Sequence, residues 1–205
     1  MKLLIAIPTL DYIISDFVIC LTDLIQKLKD DGVDFEVKIR SGSLVHIARD
    51  KLSRYAIKKK FTHVLWLDSD MIFRPTLLED LMECGKDFVS GIAHGRRSPY
   101  TSCLFKNLNP IERFETYPTE PFKVVACGFA CVLIKTSILE KVMIANGTAF
   151  TPTAHAGEEV EFCKRARALG FEIWAEPMVR LGHVGHIAVY PDDAKQWIRG
   201  DTQDE

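Results

Sequence analysis

The stretch Thr62-His63-Val64-Leu65-Trp66-Leu67-Asp68-Ser69-Asp70 constrains the fold most, because an apolar run ends abruptly in two carboxylates separated by one residue. So short a run, rich in β-formers and flanked by polar residues, predicts a central strand of a parallel sheet, not a helix. Side chains alternate along a strand, so Asp68 and Asp70 point to the same side provided the extended geometry persists through Ser69. Two neighbouring carboxylates repel and need a counter-charge. A divalent cation is the usual one, and open α/β sheets place their ligands at the C-terminal edge of parallel strands. The competing reading has Asp68 capping a turn and Asp70 in solvent, so the rest of the chain must decide.

At 205 residues the chain suits one domain, long enough to bury a sheet with helices on both faces. Its 47% hydrophobic and 26% charged content are those of a soluble globular protein, and a net charge of -2 gives no reason to expect nucleic acid as a partner. The Lys58-Lys59-Lys60 run fits a helix end, where cations meet the macrodipole. Met1 to Pro8 resembles the start of a signal peptide, but Pro8, Thr9 and Asp11 interrupt the run and no small-residue cleavage site follows, so it is read as the first strand. No later segment is long enough for a transmembrane helix. Six cysteines, Cys20, Cys84, Cys103, Cys127, Cys131 and Cys163, lack a CxxC pair or a framework spacing, which predicts reduced thiols, mostly core filler, in a cytoplasmic protein.

Ile14, Phe17, Val18, Leu21, Leu24, Ile25 and Leu28 recur at helical spacing and stop at Asp30-Asp31-Gly32. Phe35 to Arg40 alternates as a strand, and Ser41-Gly42-Ser43 turns into a helix carrying Leu44, Ile47, Ala48, Leu52, Tyr55 and Ala56. With the strand that ends at Asp68, this predicts a doubly wound nucleotide-binding half, residues 1–92, which also takes in a short helix from Pro75 and a strand over Asp87 to Ile92. From His94 to Phe122 four prolines and scattered aromatics predict irregular strands and loops along one wall of a cleft. Val124 to Ile134 reads as one long buried strand in which Gly128 marks a bulge or room for a ligand. A helix carrying Val160, Cys163, Ala166 and Leu169 on its inner face follows, then strands at Phe171 to Trp174 and Val179 to His183, with a frayed tail after Trp197. Residues 93–205 are read as the second half of the same domain.

Three acidic or imidazole clusters stand out: Asp68 with Asp70, Glu158 with Glu159 at a helix start, and His183 with His186. Each has an ordinary explanation. The macrodipole alone favours Glu158, Glu159 and Glu161 in a first helical turn, and a late-strand histidine is usually just packed. Yet each cluster follows a glycine or closes an apolar strand, positions from which side chains reach a shared cleft. His183 and His186, three apart, would face opposite sides of a regular strand, so only one belongs to the site. Arg96 and Arg97, after the fourth strand, are placed to pair with phosphate or an acidic acceptor, or to be solvated.

Taken together, Ile7-Pro8-Thr9, Ala48-Arg49-Asp50, Leu67-Asp68-Ser69-Asp70-Met71, Gly128-Phe129, Gly157-Glu158-Glu159-Val160-Glu161-Phe162-Cys163 and Gly182-His183-Val184-Gly185 resemble a small glycosyltransferase of the GT-A fold, similar to family 2. The resemblance spans nearly the whole chain. It implies a Rossmann-like, mostly parallel α/β sheet with a smaller mixed acceptor-side region, and an inverting, hexosyltransferase-like enzyme. The donor would be a nucleotide-diphosphate sugar and the acceptor a hydroxyl of a glycan, lipid or protein. The resemblance places Pro8, Thr9 and Ser69 beside the nucleotide, Arg49 against the nucleobase, and Asp68 near the ribose and the metal. It makes Asp70 a direct ligand of Mn2+ or Mg2+, with His183 as a further ligand. Glu159 takes the place of the residue that deprotonates the acceptor. That position is often aspartate in the family, which leaves Glu158 and Glu159 both open as the base.

The chemistry asks for such groups. A divalent ion stabilises the charge that develops on a leaving diphosphate, and a carboxylate on the opposite face of the sugar removes the acceptor's proton. An oxygen-rich site sharing one imidazole suits Mn2+ or Mg2+. A haloacid-dehalogenase-type phosphohydrolase also puts DxD after an apolar strand, and Asp192-Asp193 lies downstream. That family, however, wants its DxD near the start of the domain and threonine or valine where Ile72 stands. The other rival is a module that holds a nucleotide sugar or glycan without turning it over.

Overall fold

A computed structural model describes residues 1–96 and 99–185 of the chain. The N-terminal part alternates as its periodicity predicts: β1 (Lys2–Pro8), α1 (Ser15–Asp30), β2 (Asp34–Arg40), α2 (Val45–Lys58) and β3 (His63–Leu67), then β4 (Met71–Ile72), α3 (Leu77–Glu83) and β5 (Phe88–Ile92). The remainder is β6 (Leu104–Leu108), β7 (Ile111–Arg113), β8 (Phe122–Val124), β9 (Ala126–Cys127), β10 (Cys131–Lys135), α4 (Thr136–Asn146), α5 (Glu158–Ala168), β11 (Ile173–Arg180) and β12 (Gly182–His183).

The central sheet has the order β2-β1-β3-β10-β5-β11-β8. Strands β2, β1, β3, β5 and β11 run one way, and β10 and β8 run the other. The chain is therefore a mixed α/β protein built on a mostly parallel seven-stranded sheet. β1 pairs with β2 on one side and β3 on the other, so the winding reverses at β1. A crevice opens where connections leave neighbouring strands in opposite directions, and ligands bind there. Two small sheets complete the fold: β7-β6-β9, and the ribbon β12-β4 that pairs His183 with Met71 just beyond Asp70.

One apolar cluster lies on each face of the sheet. Trp66, Phe88, Phe129, Phe150 and Phe162 meet on one face, with Phe150 and Phe162 stacked at 4.7 Å and Trp66 edge-on to Phe129 and Phe150. Phe17, Leu21, Leu24 and Leu28 of α1 fill the other. All six cysteines are free, and four of them are buried. Among the described residues no helix is long and apolar enough to cross a membrane.

Several elements differ from the expected ones. Val124 to Ile134 is not one strand: β8 joins the edge of the central sheet, β9 joins the small sheet, and β10 enters the middle of the central sheet antiparallel to both neighbours. Apolar continuity reported burial, which all three pieces share, and was silent on the turns between them. α4 follows β10 directly and has no counterpart in the sequence reading. α2 buries Ala48, Leu52 and Ala56 as expected and packs Tyr55 against the core, but Leu44 stands before the helix and is exposed with Ile47, while Arg49 and Ser53 are buried in addition. β11 runs continuously from Ile173 to Arg180, with an irregular register against β5 where two strands were expected.

Candidate active site

The crevice at the C-terminal ends of β1 and β3 is a cavity lined by Pro8, Thr9, Leu10, Val45, Arg49, Asp68, Ser69, Asp70, Arg96, Glu159 and His183. All the sequence-derived site residues lie along it except Glu158, which reaches the same cluster through Arg49. Thr9 is buried at the tip of β1, accepts a 3.2 Å hydrogen bond from the Ser69 hydroxyl and donates one of 2.8 Å to the Tyr12 carbonyl, fixing the two strand ends against each other. His186, Arg97, the Asp192-Asp193 pair and the tail after Trp197 lie outside the described residues.

β3 ends at Leu67, and Ser69 and Asp70 form a turn, so the extended geometry does not persist through Ser69 and the two aspartates take different partners. Asp68 accepts a hydrogen bond from Arg49 Nη2 at 2.9 Å. Burial pushes its carboxyl up to about 6 against the opposing pull of Arg49, with Glu159 and Asp70 adding to the rise. Asp70 instead faces Arg96, whose Nη1 donates to Oδ2, and His183, whose Nε2 is 3.3 Å from the same oxygen. Burial alone would raise the Asp70 carboxyl, but the His183 hydrogen bond and the charges of His183 and Arg96 hold it below its ordinary value.

Arg49 makes contacts that the sequence reading did not include. The guanidinium expected against a nucleobase is 1% exposed and forms ion pairs with three carboxylates: Nη1 to Glu158 Oε1 and Glu159 Oε1, both at 2.7 Å, and Nη2 to Asp68. It also lies 5.4 Å over the Phe129 ring. Burial would lower its pKa, but the three carboxylates, Glu159 foremost, more than offset this and raise it. The cluster explains the burial of Arg49 on α2, since a buried cation has to be paired and the first turn of α5 and the end of β3 supply its partners. Phe162 and Cys163 anchor α5 in the core, with Cys163 Sγ 3.8 Å from the Cys127 carbonyl, so the two glutamates stand on a fixed base. Of the two, Glu159 lines the cavity. A Cβ built on Gly128 would lie 3.8 Å from Glu159 Oε2, so the glycine leaves room beside the oxygen that does not meet Arg49.

His183 is oriented by a contact that sequence reasoning missed. Its Nδ1 lies 2.8 Å from the His94 carbonyl, which accepts only, so Nδ1 carries the hydrogen and Nε2 of the neutral ring presents a lone pair. A lone pair 3.3 Å from a carboxylate oxygen is repulsive unless a proton or a cation lies between them. The Asp70 hydrogen bond accordingly raises the His183 pKa, burial opposing and the His94 carbonyl assisting. No signal in the sequence ties His94 to His183, because a backbone acceptor carries no side-chain signature.

Among the described residues, no group of three or more His, Cys, Asp or Glu side chains could hold a metal ion. Two donors, Asp70 and His183, converge, while Asp68 is engaged by Arg49. Two side-chain donors leave most of an ion's coordination shell to other ligands. The pair fits an ion whose remaining ligands are phosphate oxygens and water, the usual arrangement at nucleotide sites. Four carboxylates, Asp68, Asp70, Glu158 and Glu159, meet the guanidiniums of Arg49 and Arg96 here, a balance that favours an added cation.

No protein-family model matches the sequence, and no curated protein does. Solved structures do match. A197 from STIV aligns with a TM-score of 0.59 at 20% identity, covering 94% of this chain and 92% of its own. GalNAc-T7 with UDP, GalNAc and Mn2+ aligns at 0.53 and 11% identity, over 91% of this chain but 44% of its own. The catalytic domain of Drosophila beta1,4-galactosyltransferase 7 in complex with xylobiose aligns at 0.54 and 11%, over 97% and 79%. At these identities the likeness concerns the fold: the chain has a glycosyltransferase-like fold with structural similarity to GT-A enzymes.

Proposed function

We propose that the chain is a metal-dependent glycosyltransferase that moves a sugar from a nucleoside-diphosphate sugar to an acceptor hydroxyl with inversion. The observation that carries this is that the Asp70–His183 pair and Glu159 line one and the same cavity at the sheet's switch point. Pro8, Thr9 and Ser69 border the nucleotide. The acceptor oxygen attacks the anomeric carbon, the bond from that carbon to the diphosphate breaks with its electron pair leaving on the phosphate, and Glu159 takes the acceptor's proton. General-base assistance of this kind is worth about 10²–10⁴-fold in rate. Asp70 and His183 would hold a Mn2+ or Mg2+ ion, which would supply positive charge to the leaving diphosphate. Arg49 holds one oxygen of Glu159 and one of Asp68, fixing both for their tasks.

The test is calorimetric titration of UDP, GDP and ADP with and without Mn2+, in wild type and in Asp70→Ala. The turn position of Asp70 lets the variant fold, and the Mn2+ enhancement of nucleotide binding should vanish. Wild-type affinity that ignores Mn2+ for all three nucleotides overturns the proposal. One observation favours a second reading, a donor-holding module without turnover: Arg49 engages both Glu158 and Glu159, the candidate bases. Release of nucleoside diphosphate from a panel of nucleotide sugars, with simple acceptors present, separates the two.

A further inference from the structure

Asp70 Oδ2 has two cationic neighbours. His183 Nε2 approaches it from the β12 ribbon, and Arg96 Nη1 donates to the same atom from the loop after β5. At His94 and Arg96 the backbone lies against that ribbon: the His94 carbonyl accepts from His183, and at Gly185 an added Cβ would come within 3.2 Å of the Arg96 carbonyl oxygen and 3.5 Å of its Cβ. The Arg96 side chain, by contrast, is 45% exposed. It borders both the switch-point cavity and a neighbouring cavity lined by Leu10, Asp11 and Tyr12. The guanidinium therefore stands at the border of both cavities, half in solvent.

From this geometry we infer that Arg96 is a diphosphate-binding residue held in reserve on Asp70, so that the site refuses a bare divalent ion and takes the ion and the nucleoside diphosphate together. The inference rests on the donor-site proposal above and adds a coupling to it. A divalent cation at Asp70 Oδ2 has to displace the guanidinium, which then stands close to a doubly charged ion with no anion of its own. A diphosphate removes that penalty, because its oxygens accept from the displaced guanidinium in charge-assisted bonds, for which the planar fork of arginine is suited, while also ligating the ion. Each ligand thus lowers the cost of the other, which is positive coupling between two ligands that meet at one carboxylate.

Arg96→Gln separates the two roles because it shifts them in opposite directions. Binding of Mn2+ alone, followed by the EPR signal of the free ion, should tighten about two- to fivefold in the variant, since a half-exposed ion pair no longer competes. Binding of UDP, GDP or ADP at saturating Mn2+, followed by calorimetry, should weaken about tenfold or more for whichever nucleotide wild type prefers. Arg96→Lys, which keeps the charge and loses the fork, should stay near wild type for Mn2+ and fall between for the nucleotide. An unchanged melting temperature in both variants, expected for an exposed side chain, shows that the fold is intact. Unchanged or weaker binding of Mn2+ alone in Arg96→Gln overturns the inference. If wild type binds none of the nucleotides while Arg96→Gln still tightens Mn2+, the counter-charge role stands, the phosphate role is overturned, and the donor-site proposal falls with it.

Discussion

Replacing Arg49 by methionine keeps most of the aliphatic volume and removes the one cation shared by Asp68, Glu158 and Glu159. Breaking a buried ion pair by removing one partner costs about 3–5 kcal/mol, because the remaining charge is left unpaired. Here the side chains of Glu159 and Asp68 are 30% and 28% exposed, so water reaches them and the lower end applies, about 3 kcal/mol at pH 7. The contact with Phe129 contributes roughly another 0.5 kcal/mol. For a chain of this size the sum lowers the melting temperature by roughly 10 °C. The sign of the pH dependence is fixed: three crowded carboxylates without their cation hold protons more tightly in the folded than in the unfolded state. The penalty is therefore full above their folded-state titration and shrinks as the pH falls. Urea unfolding of wild type and variant at pH 7 and pH 5 measures both effects. A deficit below about 1 kcal/mol, or one of equal size at both pH values, refutes Arg49 as the hub of this cluster.

Glu159→Gln should slow sugar transfer by about 10²-fold or more with little change in nucleotide affinity, and Glu158→Gln should do less; steady-state rates beside calorimetry check this, and a larger loss from Glu158→Gln moves the base by one residue. The affinity of wild type for Mn2+ in the presence of nucleotide should rise with pH through the range just above the ordinary histidine value, because His183, whose pKa Asp70 raises, must lose its proton to bind; affinity flat from pH 6 to 8, or unaffected by His183→Ala, sinks the imidazole as a ligand. Gly128→Ala puts a methyl 3.2 Å from Cys103 Cβ and 3.8 Å from Glu159 Oε2, so transfer should fall and stability drop by about 1 kcal/mol while nucleotide binding holds, as activity, melting and titration measurements would register.

The sequence by itself determined the layering and the ends of the elements that matter. The spacing of Phe17, Leu21, Leu24 and Leu28 set α1 on the core, and the apolar run to Leu67 set β3 in the sheet's interior with two carboxylates just past its end. These are local properties, in which hydrophobic period and terminal chemistry are written in neighbouring residues. Strand direction is not local. β10 runs antiparallel between β3 and β5, and nothing in an apolar pentapeptide distinguishes that from a parallel neighbour. Local pattern placed Ala48, Leu52 and Ala56 on the inner face of α2 but not Arg49, which turns inward because Asp68, 19 residues on, and Glu158 and Glu159, 109 and 110 residues on, wait there. Only the folded chain brings those charges within 3 Å of one another's partner, and burial then makes each ion pair obligatory. In the same way, what the Asp68-Ser69-Asp70 stretch does was settled by tertiary contacts, which close a turn at Ser69, give Asp68 to Arg49 and leave Asp70 to Arg96 and His183.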